Sequence, residues 1–119
     1  MLPEGINSAI EGRLEHEQFR LKTQQQLAKD FAVYGFEFEP TFTTVSWEAD
    51  NIVETVSTAL MYMIEKDSSN WHPLLYTMDI HEQTYLRLAT SGETDWLIAF
   101  TWIVIRREAQ KVFFREKYA

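Results

Sequence analysis

No cysteine occurs in this chain, which excludes a disulfide framework and any zinc site built on thiolates. Glycine and proline are scarce, at four and three in 119 residues. A β-sandwich or barrel draws on many more turn residues than that, so long helices with few breaks are expected. Long apolar runs are missing too. The longest, WLIAFTWIVI from Trp96 to Ile105, is interrupted by Thr101 and is about half of what a membrane-spanning helix needs. The N-terminal stretch MLPEGINSAIEGRLEHEQ has neither the basic start nor the apolar run of a signal peptide. A cytoplasmic protein without a membrane span is the expectation.

Local catalytic signatures are also missing: the chain has no G-x-S-x-G elbow, no G-x-G-x-x-G turn and no phosphate-binding loop with its lysine. No catalytic residue, cofactor or metal site is assigned on sequence grounds. Positive charge is sparse over most of the length. Residues 1–105 hold 16 acidic and 6 basic residues, a net of −10, whereas residues 106–119 hold 5 basic and 2 acidic, a net of +3. An acidic body repels phosphate backbones, so nucleic acid is an unfavoured partner. The basic end suits the C-terminus of a helix, where cations complement the macrodipole.

What is abundant is aromatic residue: eight Phe, five Tyr and four Trp, 14% of the chain. With 45% apolar content, residues 1–119 suit one helical domain with a single core. Apolar residues at i+3 and i+4 predict a helix from about Pro3 to Tyr34, through Ile6, Ile10, Leu14, Leu21, Ala28 and Phe31, with Gly35 as its C-terminal stop. Glu17, Gln24 and Gln25 interrupt this stripe and are read as partly exposed. FEFEPTFT (36–43) changes to a period of two and is read as a short extended segment anchored by Phe36, Phe38 and Phe42. Ser46 is expected to cap a strong helix to about residue 66, which SSN at 68–70 stops. His72-Pro73 is read as opening a short helix. Asp79 with Glu82 reads as a capping box for a helix to Ala89. Thr90 or Ser91 precedes a last helix, about 94–117, apolar all round to Ile105 and therefore central and buried. The fold class is all-α, a bundle of four to five helices.

The tripeptide His-Glu-Gln occurs twice, at His16 and at His81. The zincin arrangement needs a second histidine four residues on; here those positions are Arg20 and Tyr85, so neither copy makes that site. The first reads as a charged patch on a helix, through Arg13, Glu17 and Arg20. The second reads as a cap that leaves His81 free. Trp96 and Trp102 are assigned to the core, and Trp47 and Trp71 to helix starts where a ring covers a helix end or meets a partner.

The run LLYTMDIHE followed by REAQKV and an Arg-rich close, with Leu74, Leu75, Tyr76, Asp79, Ile80, Glu82, Arg107, Glu108, Lys111, Val112 and Arg115, resembles a pattern in small uncharacterised bacterial proteins. The resemblance implies a bacterial chain whose Asp79–Glu82 turn and last helix form one unit, and implies no activity.

The leading expectation is a non-catalytic protein-interaction module: an adaptor, an assembly subunit or a self-associating small acidic protein. Aromatic excess and charge asymmetry motivate it. Its candidate surface is Arg106, Arg107, Lys111, Phe114 and Arg115, and its partner is another protein or a second copy in a homo-oligomer. An alternative is a small-molecule enzyme or ligand-binding domain with His72, Asp79, His81 and Glu82 around one pocket. A third is an acidic inhibitor or decoy for a basic protein.

Overall fold

The computed structural model of the chain describes residues 4–118, with side chains from residue 8 onward. Pro3 and the side chain of Ile6, both placed in the first predicted helix, lie outside the described residues. Six α-helices are described: α1 (Glu4–Arg13), α2 (Glu17–Ala32), α3 (Ala49–Lys66), α4 (Ser68–Thr77), α5 (Glu82–Ala89) and α6 (Trp96–Tyr118), with a 3-10 turn at Pro40–Thr43. The all-α class holds. Helix α6 packs against α1, α2, α3 and α5 and is the element around which the others are arranged. Leu27, Phe31, Phe42, Leu60, Met63, Leu74, Phe100 and Val104 form the fully buried centre of the main core. A second cluster, Ile10, Phe19, Ala109, Val112 and Phe113, joins α1 and α2 to the far end of α6.

The predicted first helix is two helices. The chain leaves α-geometry at residues 14–16, and His16 takes an extended conformation (φ −92°, ψ 130°) ahead of α2. Arg20 explains the break. Its guanidinium donates to the carbonyls of Leu14 (3.1 Å) and Glu15 (2.9 Å), capping the end of α1, and to the carbonyl of Trp47 (2.9 Å). A helix continued through residue 16 would use the Leu14 and Glu15 carbonyls itself.

Gln24 was expected to be exposed and is fully buried. Its amide nitrogen donates to the carbonyls of Phe42 (2.8 Å) and Val45 (2.9 Å), and its oxygen accepts from the backbone N–H of Trp47 (2.8 Å). One side chain thus satisfies three backbone groups of the 42–47 loop, which removes the cost of burying them unpaired. Within 36–43 the alternation is as read, with Glu37 and Glu39 exposed and Phe42 buried. The segment is not extended throughout, because Pro40, with its φ set for a turn, opens the 3-10 turn. Phe42 stacks on Phe38 with ring centroids 4.3 Å apart and meets Trp47 edge-on at 5.2 Å.

Several caps differ from expectation. Glu48, not Ser46, precedes α3, and neither caps it through a side chain. The SSN stretch begins α4 rather than merely ending α3. Asp67 alone separates the two helices, and its carboxylate accepts from the Asn70 amide at 3.0 and 3.2 Å. Pro73 therefore lies inside α4. Gly35 has the left-handed φ of +82° that a helix stop calls for, and the Phe36 N–H returns to Phe31 O (3.2 Å). Asp79 does the same work for α4. At φ +60° it lets Ile80 N–H reach back to Leu75 O (2.9 Å), so Asp79 closes α4 instead of opening α5.

The last helix begins at Trp96, after a turn in which Ser91 Oγ accepts from Glu93 N–H at 3.2 Å. Its apolar half is not buried all round: Ile98 is 44% and Trp102 36% exposed. Trp71, in contrast, is buried against Tyr85 and Phe100. No helix among the described residues is long and apolar enough to cross a membrane.

Candidate functional site

Three places gather side chains capable of chemistry or recognition. The first is the turn between α4 and α5. The structure brings His72 and Glu82 together, Nε2 to Oε1 at 2.9 Å, on open surface. It does not bring the other two in. His81 Nδ1 accepts from Gln83 N–H (3.1 Å) and is itself the cap of α5, so neither Asp79 nor Glu82 performs that role. The Asp79 carboxylate pairs with Arg107 on α6. The predicted pocket residues thus have three separate engagements. The first His-Glu-Gln also resolves into separate parts: His16 precedes α2, Glu17 begins it and Arg20 turns inward. Among the described residues no group of three or more His, Asp or Glu side chains is placed to hold a metal ion.

The second place is the basic end of α6, and here most of the cations are tied to neighbouring elements, Lys111 within the fold and Arg106, Arg107 and Arg115 nearer its surface. Arg106 reaches Glu11 of α1 (3.0 Å), Arg107 reaches Asp79, and Arg115 donates to the Gln26 side chain of α2 (2.9 Å). Lys111 donates to Asp30 (2.6 Å) and to the carbonyl of Thr77 (2.8 Å). Phe114 is half-buried beside Phe113 and stacks on Tyr118. The antiparallel α2–α6 pair is laced by these contacts: Lys22 meets Glu116, Gln26 meets Arg115 and Asp30 meets Lys111. The surface predicted for a partner is largely a set of internal ties.

Within that lacing lies a group that sequence reasoning did not single out. The Glu108 side chain is completely buried, 2.8 Å from Lys111 Nζ but off the direction of a hydrogen bond, and neither oxygen receives a donor. Burial first, and then the hydrogen bond and charge of neighbouring Asp30, push its pKa up to about 9 against the opposing pull of Lys111. A proton on Glu108 accounts for the missing donor, because the carboxyl can then donate to Asp30 itself. Gln26 supplies a further donor to Asp30 (3.0 Å). Burial lowers the affinity of Lys111 for its proton, yet the hydrogen bond and charge of Asp30, with Glu108 close by, outweigh this and hold the ammonium above its usual range. The trio is a neutral acid, a carboxylate and an ammonium, with no net charge in the interior. The signal was in the sequence: Glu108 falls in the apolar register of Val104, Ile105, Ala109 and Val112.

The third place is a cleft of about 350 Å³ where α1 ends and α2, α3 and α6 meet. Leu14, Ala49, Ile52, Trp102 and Ile105 supply apolar walls; Glu11, Glu15, Arg20 and Arg106 supply the polar lining. Arg20 and Gln24 hold the 42–47 loop that leads into the Ala49 wall, so the cleft is braced by buried hydrogen bonds. Above it, Ile98 and Trp102 lie one turn apart on the exposed side of α6. This volume suits a small ligand or an anchoring side chain.

Around these features the surface is acidic. Glu15, Glu17, Glu37, Glu39, Glu48, Asp50, Glu54, Glu65, Glu93 and Asp95 are exposed, with no cation at ion-pair distance among the described residues. Compared with protein-family models, curated proteins and solved structures, the chain matches none.

Proposed function

We propose that this chain is a non-catalytic protein-interaction module that docks a partner at the Trp102 cleft, rather than through the basic end of α6. The observation carrying this reading is Trp102 itself, a large ring left 36% exposed beside an apolar-walled cleft with Ile98 bare one turn away. Tryptophan is among the residues most enriched at the anchoring points of protein interfaces, because it combines a large apolar area with few rotatable bonds. The titratable groups favour no catalytic alternative: His72 and Glu82 are an exposed pair, and Glu108 is closed off from any substrate.

The test is a photo-crosslinking residue at Ile98, with Val33, 64% exposed, as control. A protein captured in native cells from position 98 and not from 33 is identified, purified and rebound in solution. Binding that weakens at least tenfold in Trp102→Ala, with unchanged helicity, supports the reading. Equal capture at both positions, or rebinding indifferent to Trp102, rejects it.

A further inference from the structure

We infer that the occupant of the cleft is a cationic amphipathic helix of a different protein. One apolar side chain sits against Trp102, and lysine or arginine residues reach the carboxylates on either side. This rests on the interaction-module reading above and gives its partner a chemistry.

Charge selects the partner. Three of the cations that the sequence concentrates on α6 already hold carboxylates, Arg106 on Glu11 in the cleft lining, Arg107 on Asp79 and Lys111 on Asp30. Ten exposed carboxylates, Glu15 and Asp95 among them, are left without a cation at ion-pair distance among the described residues. Two of these flank the apolar stripe. Asp95 immediately precedes α6, three, four and seven residues ahead of Ile98, Ala99 and Trp102, and its carbonyl accepts from Ala99 N–H (3.2 Å); Glu15 lines the cleft itself. At about 1.5 Å per residue, Asp95 and Trp102 are roughly 10 Å apart along the helix. A partner cation on Asp95 therefore lies about two turns of helix from the apolar side chain that meets Trp102, and a second cation, on the cleft side of that side chain, faces Glu15.

A second copy of this chain lacks the charge to fit. Its exposed cations without a carboxylate partner are Lys29, Lys66, Arg87, Arg115 and Lys117, scattered over α2, α3, α5 and α6. Two such surfaces brought together repel more than they attract.

The experiment uses three amidated helical peptides of about 14 residues: one with lysines flanking a leucine stripe, one with glutamate replacing every lysine, and one with serine replacing every leucine. Each is titrated into the full chain while the Trp102 indole N–H is followed by NMR and affinity by calorimetry. The Lys/Leu peptide should shift the Trp102 signal, bind roughly tenfold more weakly when salt rises from about 50 to about 300 mM, and lose affinity in Ile98→Asp and Glu15→Lys. Ile98 and Glu15 are exposed, so both variants fold. Equal binding of the Glu/Leu peptide overturns the cationic partner and leaves the interaction module standing. Equal binding of the Lys/Ser peptide shows attraction by charge alone and overturns the cleft as the site. Sedimentation that reveals a dimer competing with the peptide overturns the inference in favour of a second copy. If no peptide binds and position 98 captures no protein, both readings fall together.

Discussion

Replacing Glu108 by glutamine should make this protein more stable at alkaline pH, and the gain should grow with pH. In the folded chain the carboxyl, buried beside Asp30, holds its proton up to about 9; unfolded, it ionises near the ordinary glutamate value of 4.5. Between those two limits the folded state binds one more proton than the unfolded state at this position. Stability therefore falls as pH rises, by about 1.4 kcal/mol per pH unit for one group. The contribution is fully present below the unfolded pKa and is lost as pH climbs through the folded one. Glutamine reproduces the neutral acid's shape and its donor to Asp30 and cannot ionise, so Glu108→Gln lacks the slope. From about pH 5.5 to about 8.5 the stability difference, variant minus wild type, should grow by roughly 4 kcal/mol, three pH units of that slope. Urea unfolding followed by circular dichroism at several pH values measures it. Neighbouring terms fall outside the window. Lys111, with its pKa raised, loses its contribution only as pH rises above the ordinary lysine range, and Glu116, lowered by Lys22, loses its contribution as pH falls below the ordinary glutamate range. A difference that stays constant, or that turns against glutamine as pH rises, would show that Glu108 is ionised in the fold and refute the proton assignment.

Gln24→Leu should destabilise by about 2–5 kcal/mol in the same unfolding assay, because two carbonyls and one N–H lose their partner together; a loss below about 1 kcal/mol would mean that water replaces the amide. Asp79→Val should cost about 1–3 kcal/mol, since a β-branched residue resists φ +60°, while Asp79→Gly should stay near wild type, trading backbone relief against the ion pair with Arg107. Phe100→Ala should cost about 3–5 kcal/mol and Trp102→Ala clearly less, as the first ring is fully buried and the second is not; similar losses would place Trp102 in the core and remove it from the docking surface. His72→Ala should change stability by less than about 0.5 kcal/mol, because its pair with Glu82 is exposed.

The helical class was legible because α3 carries a clean i+3/i+4 stripe of Ile52, Val53, Val56, Ala59, Leu60 and Met63, all buried as that period requires. Gly35 was legible for a local reason, the left-handed stop of α2. The break at residues 14–16 was not, because its cause is a tertiary contact: Arg20 turns its guanidinium onto Leu14, Glu15 and a loop 27 residues away. Gln24 and Glu108 were missed on the same principle. A polar residue in an apolar register reads as an interruption of the stripe, whereas the groups that justify burying it lie 18 to 23 residues from Gln24 in sequence. Asp79 was given the wrong helix because aspartate serves both as an opening cap and as a left-handed stop. The choice was made by Ile80, whose N–H is within reach of Leu75 O.

The exposure of α6 differs from the sequence expectation for a reason that concerns the helix as a whole. Sequence alone assigns its apolar half to the core and its charged half to the surface. The structure partly exchanges them, and the neighbours explain why. Around the charged half lie α1 and α2, which bring Glu11, Gln26 and Asp30 to meet Arg106, Arg115 and Lys111. An apolar helix surface needs covering from every side, and Phe100, Thr101 and Val104 are so covered. Ile98 and Trp102, on the remaining side, are not. In a domain this small, burial depends on how many neighbours a face has as well as on how apolar it is. The exposed apolar face of α6 therefore lies at Ile98 and Trp102, beside the cleft braced by Arg20 and Gln24 and its unpaired Glu15.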